Sequence, residues 1–259
     1  MKKIHPLHPA LKPYKKEIEA TLKPVLRISA SPAQTGIRQS KFGGVPYWPA
    51  AMPYPVHSRT GKPLFHLGQI NFGEIPAMNP FPSTGILQFF LNDVSIFDEE
   101  FSVIYHKQVI NDDDALWEGF DEPVYWERWG GDYALHFEED VEPVTDEDFR
   151  FTRYYGKALQ DLIWFPSEKY GYEVRQQYME LHRDLNGRKN KIGGYHYSQN
   201  GIDPRPMSYI GEEESELLIQ FDGCDVFSWG DLGSANFFIK RRELEELNFA
   251  DVVYHWDCT

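Results

Sequence analysis

The sequence predicts an α+β protein: antiparallel sheets built from an internally duplicated helix-plus-strands unit, with both copies sharing one core. Three observations lead there. Short motifs recur in the same order about 150 residues apart, each reads as a turn or a strand, and an amphipathic stretch precedes each set.

The matches run in order. Lys41-Phe42-Gly43-Gly44-Val45-Pro46-Tyr47 is answered by Lys191-Ile192-Gly193-Gly194-Tyr195-His196-Tyr197, at an offset of 150. Leu67-Gly68-Gln69-Ile70-Asn71 is answered by Leu218-Ile219-Gln220-Phe221-Asp222, at 151. The stretch 85–91 matches 233–239 at 148, and Val103-Ile104-Tyr105-His106 matches Val252-Val253-Tyr254-His255 at 149. Four ordered matches at nearly one offset are unlike chance. The period is too long for a solenoid, so one duplication is expected rather than an array.

Each piece has a physical reading. Gly-Gly after a basic residue suits a turn that needs positive φ or close backbone approach. Residues 67–71, 86–91 and 103–106 are short apolar or β-branched runs of strand length, as are their partners. Leu11, Ile18 and Leu22 give near-helical spacing over 9–23, with Pro24 as the stop. Gly156 to Trp164 reads as a helix ending before Phe165-Pro166. Val174, Tyr178, Leu181 and Leu185 make a third helix over 171–185, with Asn186-Gly187 as its cap. Arg241 to Leu247 is expected as a short helix between the last two strands. The whole is read as one domain over 1–259, with repeats near 9–110 and 157–259 joined by an acidic, aromatic-rich segment, 111–150.

Charge is the other strong signal. Of the formal −14, the segment 111–150 carries −13, from fifteen acids against Arg128 and Arg150. Nucleic-acid and anionic-membrane partners are electrostatically disfavoured there. Trp117, Trp126 and Trp129 interleave with acids such as Asp112, Asp113 and Asp114. Acids with aromatics suit docking to a basic protein, since rings supply anchor area and carboxylates steer association. A solvated acidic face is the plainer reading. Two cysteines, Cys224 and Cys258, form no disulfide framework, and no apolar run is long enough to span a bilayer, so a cytoplasmic protein is expected.

Residues 42–49 (Phe42-Gly43-Gly44-Val45-Pro46-Tyr47-Trp48-Pro49), Leu67-Gly68-Gln69-Ile70-Asn71 and 85–90 resemble the YwqG-like family of bacterial proteins. So do Leu217–Asp222, Trp229-Gly230-Asp231 and Phe237-Phe238 in the later half. The resemblance spans roughly 40–257. It implies an α+β fold, no assigned reaction and no catalytic residues to transfer. Some members look to be encoded beside secreted-toxin genes, which implies an immunity-like, toxin-binding role. Tyr195-His196-Tyr197 departs from the pattern of the first half.

Motifs for chemistry are sparse. The sequence holds no Gly-x-Ser-x-Gly elbow, phosphate loop, dinucleotide fingerprint or close His/Cys pair, so no metal or cofactor is expected. Gln69 and Gln220 stand at equivalent strand positions. They either pin the nearby Gly-Gly loops or, with Asn71, Asp222, Trp229 and Asp231, line a ligand cleft between the copies. Tyr47 and Trp48 are either core anchors or an exposed shelf for a sugar or peptide. The favoured reading is a non-enzymatic protein-binding module, possible toxin immunity included. An enzyme or a small-ligand or sugar-binding protein using the inter-copy cleft is the alternative.

Overall fold

The computed structural model describes residues 7–92, 100–117, 131–181, 190–223 and 226–258. Ten antiparallel strands form one nearly closed, barrel-like sheet. In chain order they are β1 (Lys23–Pro32), β2 (Lys41–Gly43), β3 (Phe65–Asn71), β4 (Ile86–Leu91), β5 (Phe101–His106), β6 (Asp132–Glu142), β7 (Lys191–Gly193), β8 (Ser215–Asp222), β9 (Ser234–Lys240) and β10 (Val253–Asp257). Across the sheet the order is β10-β9-β8-β7-β1-β6-β2-β3-β4-β5. The described helices are short: α1 (Lys15–Ala20), α2 (Phe151–Trp164), α3 (Glu173–Glu180) and α4 (Arg241–Glu245).

This corrects the expected α+β class. Among the described residues sheet dominates over helix, and no helix-plus-strands unit repeats. α1 comes before β1, whereas α2 and α3 come after β6, so the helices hold different places in the two stretches. The two central strands were not foreseen. β1 begins where Pro24 ends the helical pattern; prolines at both its ends are compatible with a strand because they leave the middle of the ladder intact. β6 lies in the acidic segment expected to join two copies. It pairs with β1 along ten residues, from Lys23↔Glu142 to Pro32↔Tyr133.

The matched motifs fall on β2–β3–β4 and β7–β8–β9, which flank this central pair. Lys41 lies opposite Gln69 and Lys191 opposite Gln220. Each second strand carries a bulge, at His66/Gly68 and at Leu217/Ile219. The last match is displaced. Ile86 faces His106 and Ser234 faces Asp257, so Asp257, not His255, takes the position of His106.

Alternation along the strands sets the layers. Ile70, Leu87, Phe89, Phe221 and Phe237 point into the main core with Leu26, Ile28 and Leu135 from the central pair. Phe42 meets Phe221 at 5.3 Å and Phe89 meets Phe237 at 5.0 Å, so rings from both sides fill one interior. The other face is covered in patches. α1, α2 and α3 pack around Val144 and Tyr195. Tyr47 and Trp48 cover β4 through Ile86 and Phe90, while Ile210 covers Leu217 and Phe238.

Positive φ matters most at the Gly-Gly pairs. Gly44 has φ +62° and Gly194 φ +67°. A Cβ on Gly44 would sit 2.7 Å from Asp132 Oδ1, and one on Gly194 would strike Glu142 Oε1. Gly61 has φ +69° with nothing within 4 Å of an added Cβ. Gly61→Ala should therefore cost about 1 kcal/mol, the left-handed strain alone. Gly44→Ala adds a clash with a carboxylate that Thr35 holds in place, and should cost at least about 1 kcal/mol more. Urea unfolding of the two variants makes the comparison, and equal losses would remove the close-approach argument.

Candidate functional site

The glutamines act on backbone. Gln69 is fully buried. Its Oε1 accepts from Tyr47 N at 2.8 Å and from Gln88 Nε2 at 3.0 Å. Its Nε2 donates to Ile37 O and Gln39 O, both at 2.8 Å. His106 continues the chain through a 2.7 Å contact with Gln88 Oε1. Gln220 Oε1 accepts from Tyr197 N at 2.8 Å, the same link in the second set. Asn71 Nδ2 donates to Arg38 O, and its Oδ1 accepts from Gly73 N.

These residues do not converge. Gln69 and Gln220 point away from the main core, on strands with β2, β6, β1 and β7 between them. Asp222 is buried, with its backbone N–H donating to Asn190 Oδ1. Trp229 is buried against Phe227, while Asp231 is exposed. Tyr47 and Trp48 are core residues, with Tyr47 Oη accepting from Ile110 N and Trp48 Nε1 donating to Met52 O. The exposed shelf is therefore not formed. Asp112, Asp113 and Asp114 are exposed on a short 3-10 turn, and Asp113 pairs with Arg38 at 2.6 Å. Trp117 is half-buried, its ring 5.1 Å from Tyr54. Trp126 and Trp129 lie outside the described residues.

Two buried ionic groups were not singled out from the sequence. In the first, Arg27 Nε donates to Asp140 Oδ2 at 2.9 Å and Nη2 to Glu142 Oε2 at 3.0 Å. Lys191 Nζ donates to Glu142 Oε1 at 2.8 Å, and Tyr195 N donates to the same oxygen at 2.7 Å. In the second, Arg150 makes a two-pronged contact with Asp148, and Arg205 Nη2 reaches Asp148 Oδ2 and Asp203 Oδ2, both at 2.7 Å. Each group balances two acids with two bases.

Asp148, His196 and Asp203 bring ligand atoms within 4.8 Å of one another, a spacing that suits a metal. The arginines change that reading. Arg205 Nη2 touches both carboxylates where a cation would bind, and Arg150 occupies both oxygens of Asp148. A divalent ion would have to displace one guanidinium and repel the other. Burial raises the Asp148 carboxyl, but the hydrogen bonds of Arg150 and the charge of Arg205 outweigh it and hold it below the usual carboxylate range. The only cue in the sequence was the paired spacing Asp148-x-Arg150 and Asp203-x-Arg205.

The chain thus presents a nearly closed antiparallel sheet whose buried amides and ion pairs hold its own loops. It belongs to the family DUF1963, described as a domain of unknown function, whose model matches residues 40–258. No curated protein matches the chain. Among the described residues no helix is long and apolar enough to cross a membrane.

Gln69→Leu keeps the side-chain volume but strips three backbone groups of their partner. At about 1–3 kcal/mol per buried unpaired group, the loss should exceed about 3 kcal/mol. An unfolding free energy within about 0.5 kcal/mol of wild type would sink the pinning role. A second outcome concerns pH. Burial lowers His66 to about 3, and His106 and His196 to about 4. Unfolded, each titrates near its ordinary value of about 6.5. Between these values the unfolded chain binds more protons, so stability falls as pH falls, by up to about 1.4 kcal/mol per unit for each histidine. His196→Phe should flatten the profile by one histidine's share in unfolding measured from pH 7 to 4.5.

Proposed function

We propose that this chain is a non-enzymatic module that holds a basic protein partner through its acidic surface, in a reducing, cytoplasmic setting. The carrying observation is the division of acids in the 111–150 stretch. Asp140 and Glu142 turn to buried partners, Arg27 and Lys191. Asp112, Asp113 and Asp114 stay exposed beside the half-buried Trp117. Exposed carboxylates next to an anchored ring steer and hold a cationic surface, and their repulsion is relieved when it binds. Kinship with YwqG-like bacterial proteins, and an immunity-like role against a toxin, are the finer forms of this reading. They rest on the motifs at 42–49, 67–71 and 85–90. The alternative, an enzyme or a small-ligand or sugar site between the strand sets, has less support, because Gln69 and Gln220 are spent on backbone and have four strands between them.

The test neutralises only exposed acids. Asp112→Asn/Asp113→Asn/Asp114→Asn keeps the local cap, since asparagine caps as well as aspartate. Asp140 is left alone because its pair with Arg27 is buried, whereas the Asp113–Arg38 pair given up in the variant has an exposed carboxylate. In pull-downs washed at rising salt, partners held by wild type should leave the variant at clearly lower salt. Identical recovery and identical salt profiles would falsify the proposal.

A further inference from the structure

The loop from β7 to β8 is fixed in place yet displays apolar side chains. Ser198 Oγ and Asn200 N both donate to Asp257 Oδ2, at 2.6 and 3.1 Å. Arg205 is clamped by Asp148 and Asp203, and its carbonyl accepts from Ser208 Oγ at 2.8 Å. Ile210 closes the loop against Leu217 and Phe238. On this scaffold Met207 is 80% exposed, Ile202 51% and Tyr209 50%. Scattered exposed apolar residues are ordinary, but three within eight residues of a loop held by buried ion pairs make a preorganised surface.

Its surroundings select a partner by charge. Glu212, Glu213 and Glu214 follow directly and are exposed. Burial first, then the charges of Asp251, Glu243 and Glu213, push the Tyr209 hydroxyl up to about 12. The Lys240 ammonium sits 5.0 Å from the Tyr209 ring centre and 2.8 Å from Glu213 Oε1. Ring and carboxylate together already hold one ammonium, and cations are favoured over such a ring.

We propose that the Ile202–Tyr209 loop is a docking surface for a basic segment of another protein, one with lysine or arginine beside bulky apolar side chains. Met207 and Ile202 supply the apolar contact; exposed Glu212 and Asp251 supply the charge, Glu213 being held by Lys240. This rests on the reading of the chain as a protein-binding module and adds a second contact, separate from the one at Asp112–Asp114.

Three synthetic peptides of about twelve residues, alternating Lys/Leu, Lys/Ser and Glu/Leu, are titrated calorimetrically into the full chain. The expected result is binding of Lys/Leu alone, weakened about tenfold by Ile202→Ser/Met207→Ser and unchanged by the Asp112–Asp114 asparagine variant. Both altered residues are exposed, so melting temperatures should stay at the wild-type value. Equal affinity in the serine variant overturns the inference. If the asparagine variant instead loses the peptide, the loop assignment fails while the protein-binding reading stands. If wild type binds no basic peptide and the pull-downs also show no salt-sensitive partner, both fail.

Discussion

Ten residues of β1 lie against ten of β6 in unbroken antiparallel register, and every other strand is reached outward from this pair. The pairing sets which side chains enter the core: Leu26, Ile28 and Leu135 go inward, and Arg27, Asp140 and Glu142 go to the other face. A slip of one residue would exchange the two sets and drive charges into an aromatic interior. The ends of β6 also fix the flanking loops. Asp132 holds Thr35 beside Gly44 at one end, and Glu142 receives Lys191 and Tyr195 N beside Gly194 at the other.

Buried charge serves position more than net stability. Arg27 with Asp140 and Glu142, and Arg205 with Asp148 and Asp203, each bear a desolvation cost that their mutual attraction about offsets. Breaking one partner is a different matter, because the remaining charge stays buried. Both groups tie strands or loops distant in sequence, and so specify where those segments lie. The same arginines fill the coordination space that Asp148, His196 and Asp203 would otherwise offer a metal ion.

The outer strands were legible because their signals are local. Leu67–Asn71, Ile86–Leu91 and their partners are apolar runs bounded by glycine, and the Gly-Gly pairs marked tight turns where carboxylates approach closely. β1 and β6 were hidden by competing signals. Pro24 reads as a helix stop as readily as a strand start. In β6, Glu138, Glu139, Asp140 and Glu142 make the stretch look solvated, although Asp140 and Glu142 are charges satisfied by partners far along the chain, which no local pattern shows. Gln69 and Gln220 were correctly placed on strands, but which face each took depended on the layering. The Arg205 cluster joins 148, 196, 203 and 205; the Asp-x-Arg spacing is local, but bringing 148 and 196 to 203 and 205 is done by the fold.

Among the described residues the sheet has an even number of strands, all antiparallel to their neighbours, so its terminal strands β5 and β10 run in opposite directions. Rings already meet across this seam, with Phe101 5.5 Å from Tyr254. Parity then limits what the gap admits: one guest strand must run parallel to one lip, whereas a hairpin would match both.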